Sequence, residues 1–68
     1  MTFKEYDTVQ LRQPLPSGAI DVGTPGAIVM VHAGGEAYEV EFVDPAGVTI
    51  AILTVNKEYL EPDQRSRP

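Results

Sequence analysis

Three observations predict a small all-β domain. Residues 37–43 (AYEVEFV) alternate apolar and acidic side chains, the period-two pattern of a half-buried strand. Asp44-Pro45-Ala46-Gly47 follows as a turn, and residues 48–55 (VTIAILTV) are a β-branched run of strand length. Finally, 68 residues without a cysteine can build one core only, with neither disulfides nor thiolate metal sites to reinforce it. A chain this short buries about 60% of its unfolded surface, which limits its stability to a few kcal/mol. The apolar share of 43% is ordinary for a folded domain.

The elements follow in order. Residues 6–11 (YDTVQL) place Val9 and Leu11 in alternation with Thr8 and Gln10, which predicts a first strand. Residues 13–25 carry Pro14, Pro16, Pro25, Gly18 and Gly23, so they predict a long irregular loop whose Ile20 and Val22 tuck back onto the core. Residues 26–32 (GAIVMVH) predict a second strand, and Gly34-Gly35 a short hairpin with positive φ. In the third strand, residues 37–43, Tyr38, Val40 and Phe42 share one face, and Glu39 and Glu41 the other.

In the turn that follows, Asp44 supplies a capping carboxylate, Pro45 presets φ and Gly47 closes it. Residues 48–55 form the fourth strand. Residues 56–60 fit one helical turn with Asn56 at the N-cap position, and Tyr59-Leu60-Glu61 is the candidate for a short fifth strand. The tyrosines are expected at the edge of the core with wet hydroxyls. Residues 1–61 would be the folded unit and residues 62–68, which lack an apolar side chain, a disordered tail. Short strands, tight turns, one long first loop and a late helical turn describe a single SH3-like barrel of about five strands.

Charge narrows the function classes. The formal net charge is −5, and two of the five basic residues, Arg65 and Arg67, lie at the very end. Residues 1–64 hold ten acidic and three basic side chains, a formal −7. Nucleic-acid affinity rests on Lys and Arg displacing counterions, so no nucleic-acid partner is expected, and anionic membranes are disfavoured for the same reason. The N-terminal residues lack the apolar core of a signal peptide, and residues 48–55 are too short to span a bilayer. A cytoplasmic location is expected.

No constellation of catalytic residues stands out. His32 is the single histidine, and no second His or Cys accompanies it at metal-ligand spacing. Glu39 and Glu41 lie about 7 Å apart on one strand face, a separation seen in glycosidase carboxylate pairs. Such pairs need a deep cleft with an apolar pocket around one member, which a barrel face lacks; a solvated acidic face is the expectation. Gly23-Thr24-Pro25-Gly26 precedes a strand rather than a helix, so it cannot cradle phosphate and is architectural. Lys4-Glu5-Tyr6-Asp7 is faintly similar to the aromatic stretch of polyproline-binding SH3 domains, but their groove tryptophan is missing. Residues 48–55 are apolar on both faces: Val48, Ile50 and Ile52 point one way, Ala51, Leu53 and Val55 the other. Either the Pro-rich loop or another chain must cover the second face.

The chain resembles a family of small bacterial proteins of unknown function with an SH3-like barrel. Its shared pattern is a Y-D-x-V-x-L start, a G-T-x-G-x-I-V-x-V strand, an A-Y-E-V-E-F-V-D strand and a T-I-A-x-L-T-V strand. Here these are residues 6–11, 23–31, 37–44 and 49–55, with Tyr59-Leu60 after them. The resemblance spans roughly residues 3–61. It implies no activity and no catalytic residues, and it implies company with a second small protein, toxin-like in some cases.

The expected function is a non-enzymatic protein-interaction module, an accessory or antitoxin-like partner of an operon neighbour. The candidate interface residues are Glu39, Glu41, Ile50, Ile52 and Leu53, and no catalytic, cofactor-binding or metal-binding residue is expected. A structural homodimer paired through edge strands is the first alternative, and a nucleic-acid-binding barrel, disfavoured by charge, the second.

Overall fold

The computed structural model describes residues 2–63. Five strands form one antiparallel sheet: β1 (Thr8–Leu11), β2 (Pro25–His32), β3 (Ala37–Val43), β4 (Thr49–Asn56) and β5 (Leu60–Pro62). Their order is β4-β3-β2-β1-β5, so consecutive strands are neighbours until the chain crosses back to set β5 beside β1. Short 3-10 turns at Ala33–Gly35 and Lys57–Tyr59 are the helical elements. The all-β class expected from alternation is the observed one.

The core follows the period of two. Val9 and Leu11 of β1, Ile28 of β2, Tyr38, Val40 and Phe42 of β3, Val55 of β4 and Leu60 of β5 point inward. Phe3, from ahead of β1, and Ile20, from the long loop, close the core. Burying a large apolar side chain is worth about 1.5–3 kcal/mol, so these ten positions are the main source of stability. Tyr38 is fully buried rather than wet at its hydroxyl: the oxygen accepts the Phe3 backbone N–H at 3.0 Å, and the two rings meet edge-on with centroids 5.4 Å apart. That bond satisfies a donor that would otherwise be buried without a partner.

Several local expectations shift. β1 starts at Thr8, because residues 4–7 close a turn: Asp7 N–H donates to the Lys4 carbonyl at 3.0 Å, and Lys4 N–H to Asp7 Oδ2 at 2.8 Å. Tyr6 in this turn has φ +72° and is 76% exposed. Pro25 opens β2 as its first residue, a place where proline's missing N–H is tolerated. Val22 is 53% exposed and only Ile20 tucks in. The second hairpin includes Ala33 at φ +49° as well as Gly34 and Gly35 at +65° and +101°. Asn56 stands at the N-cap of the second 3-10 turn, but its side chain makes no capping bond. β5 runs to Pro62, and Asp63 is buried with its N–H on the Thr8 carbonyl at 3.2 Å. The folded unit therefore extends past residue 61, and the rest of the expected tail, residues 64–68, lies outside the described residues.

The β3–β4 turn behaves as its residues dictate. Asp44 Oδ1 accepts the N–H groups of Ala46 and Val48, both at 2.9 Å, and Gly47 takes φ +83°.

Candidate functional site: the outer face of β3 and β4

The strand period that buries Tyr38, Val40 and Phe42 puts Glu39 and Glu41 on the outer face. Register then decides their neighbours. Glu41 stands opposite Ile52, and Glu39 opposite Thr54 on β4 and Met30 on β2. Ile50 is the extra residue of a bulge where Phe42 pairs with Ala51 and Val43 with Thr49. Ile50 and Ile52 are 52% and 55% exposed. The long loop does not cover them. Leu53 takes the opposite direction and packs against the core with Ala51. Four of the five sequence candidates thus share one surface, and Leu53 supports it from within.

Both carboxylates are oriented by hydroxyls of the next strand. Thr49 Oγ1 donates to Glu41 Oε2, and Thr54 Oγ1 donates to Glu39 Oε1 at 3.4 Å. His32, at the end of β2, has Nε2 3.6 Å from Glu39 Oε1. No lysine or arginine occupies any of the five strands. Among the described residues the cations are in the connections, where Lys57 pairs with Glu36 at 3.1 Å and Arg12 Nε donates to the Glu58 carbonyl at 2.9 Å. The outer face is therefore acidic and apolar together.

Two hollows adjoin the Glu41 end of this face. One, of about 250 Å³, is floored by Gly26 and Ala27 and edged by Thr8, Glu41 and Asp63. The other, of about 410 Å³, lies between residues 21–25, the Asp44-Pro45 corner and Ile50. They share Pro25 and Val43 and so form one shallow, bent surface. Asp63 was missed in the sequence, since a lone acid after proline carries no burial signal. Gly26 brings β2 close to β3: a Cβ there would stand 2.8 Å from the Glu41 carbonyl oxygen and 2.8 Å from Val40 Cγ1. Its role, like that of Gly23 at φ +90°, is architectural.

Among the described residues no three of His, Cys, Asp and Glu gather as metal ligands, and no helix is long and apolar enough to cross a membrane. His32 Nε2 and Thr54 Oγ1 both face Glu39 Oε1, at 3.6 and 3.4 Å.

No curated protein and no solved structure matches the chain. A family model described as a domain of unknown function, DUF4926, matches residues 5–62, a span that holds all five strands and every candidate interface residue. The chain belongs to this DUF4926 family of domains of unknown function.

Proposed function

We propose that this domain is a non-enzymatic protein-interaction module that docks a partner on the outer face of β3 and β4, as an accessory or antitoxin-like companion of an operon neighbour in the bacterial cytoplasm. One observation carries the reading: Ile50 and Ile52 stand uncovered beside Glu39 and Glu41, on a sheet without a single lysine or arginine. Exposed isoleucines on an edge strand invite aggregation unless something covers them. Covering the exposed half of each is worth roughly 1 kcal/mol, and the neighbouring acids favour a basic surface while opposing phosphate backbones. The strand order, with β5 returned beside β1, supports an SH3-like barrel as the scaffold.

The test is capture of a stoichiometric protein from the native host on the tagged chain, followed by mass spectrometry, with Ile52→Asp beside it. The expected result is one dominant protein, lost with Ile52→Asp while the variant keeps its fold by circular dichroism. Retention of that protein by the folded variant would refute the docking face. A second reading, a homodimer through β4, draws on the absence of charge and proline from residues 49–55; sedimentation as a strict monomer at all concentrations removes it.

A further inference from the structure

β4 is an edge strand. It pairs with β3 on one side and, among the described residues, with no strand on the other. Alternate residues of such a strand turn their N–H and C=O groups outward. Protein edges are commonly blunted by lysine, proline or an inward-pointing charge, and residues 49–55 contain none of these. The bulge at Ile50 disturbs only the end near the Asp44 turn.

The side chains along this edge specify what could be added to it. A sixth strand would lie about 4.8 Å beyond β4, with its side chains alternating between the two faces. One set would stand beside Ala51 and Leu53, which are half-buried at the rim of the core, and it must be apolar to continue that core. The other set would stand beside Ile50 and Ile52. One strand further in, the same face turns acidic, with Glu41 opposite Ile52 and Glu39 opposite Thr54. A side chain on the sixth strand must therefore cover isoleucine with its stem and reach a carboxylate with its tip. Arginine and lysine have that construction.

We infer that the β4 edge receives an extended segment of a partner protein in which apolar residues alternate with arginine or lysine. The apolar set completes the core rim at Ala51 and Leu53. The basic set lies over Ile52 and Thr54, whose cross-strand neighbours on β3 are Glu41 and Glu39. This inference rests on the docking-face reading and adds the form and chemistry of the occupant. A second copy of the chain fits poorly, since its own β4 brings no cation and its net charge of −5 has the same sign.

The test is a titration of the full isotope-labelled chain with a capped octapeptide alternating valine and arginine, read by amide shifts and amide hydrogen exchange. Two control peptides accompany it, one alternating valine and glutamate, the other a four-valine, four-arginine block of the same composition. The alternating arginine peptide should shift the amides of residues 50–54 and newly protect the alternate ones that face away from β3, and the controls should not. Glu39→Gln with Glu41→Gln, changes at half-buried positions that keep shape, should weaken binding roughly tenfold and flatten its salt dependence. Equal binding of a control, protection elsewhere on the sheet, or no shift at about 1 mM peptide would overturn the inference. A chain that sediments as a dimer with β4 amides protected before peptide is added would also overturn it. If the peptide fails while Ile52→Asp still abolishes partner capture, strand addition falls and the docking face stands. If Ile52→Asp leaves capture intact, both fall.

Discussion

Gly26→Ala probes the closeness of β2 and β3 beneath Glu41. Gly26 is buried, lies inside β2 and pairs with Phe42. In an open strand, Gly→Ala would stabilise by about 0.4–1 kcal/mol, because the unfolded chain loses freedom. Here the added methyl meets the Glu41 carbonyl oxygen and Val40 Cγ1 at 2.8 Å each, and Phe42 Cδ1 at 3.2 Å. The Glu41 oxygen is backbone and cannot rotate away, so the two strands must part by several tenths of an ångström. Overpacking of this kind costs about 1–3 kcal/mol, and the net expectation after the entropy gain is a loss of roughly 1–2 kcal/mol. For a domain of this size each kcal/mol moves Tm by about 4–8 °C, so Tm should fall by roughly 5–15 °C. Thermal and urea unfolding followed by circular dichroism measure it, with the urea m-value unchanged. A variant as stable as the parent, or more stable, would refute the close approach of β2 to β3 at Gly26 and its pairing with Phe42.

Tyr38→Phe should lower stability by about 1–3 kcal/mol in urea unfolding, because the Phe3 N–H loses its acceptor at 3.0 Å inside the core. Tyr6→Gly should raise stability by about 1 kcal/mol in the same assay, since glycine takes φ +72° without the cost that tyrosine bears there. Asp44→Ala removes the acceptor of two turn N–H groups and should cost roughly 1–2 kcal/mol, with the largest gain in amide exchange at Ala46 and Val48.

Much of this fold is written in local pattern. β3 begins and ends where its alternation does, because Tyr38, Val40 and Phe42 had one consistent face to bury. The Asp44–Gly47 turn follows from one carboxylate and one glycine. What the pattern lacked was partner information. Both faces of residues 48–55 are apolar, so alternation alone could not tell Ile52 from Leu53; the direction comes from β3, whose inward residues draw Ala51, Leu53 and Val55 to the core. The edge position of β4 is likewise a property of strand order, which no stretch of eight residues encodes. Phe3 and Asp63 join the fold through contacts at long range, Phe3 with Tyr38 and Asp63 with Thr8, and nothing in their neighbours announces them. Val22 had the composition of a core residue, and only the path of the loop leaves it in water.

The central claim is that the Ile50–Ile52 face of β3 and β4 is where this domain meets another protein. The most direct measurement is a methyl and amide shift map of the isotope-labelled chain bound to the stoichiometric partner that it captures. The largest changes are expected at the methyl groups of Ile50 and Ile52 and at the amides of Glu39 and Glu41, with β1 and β5 little moved. Changes centred on β1 and β5, with Ile50 and Ile52 untouched, would contradict it.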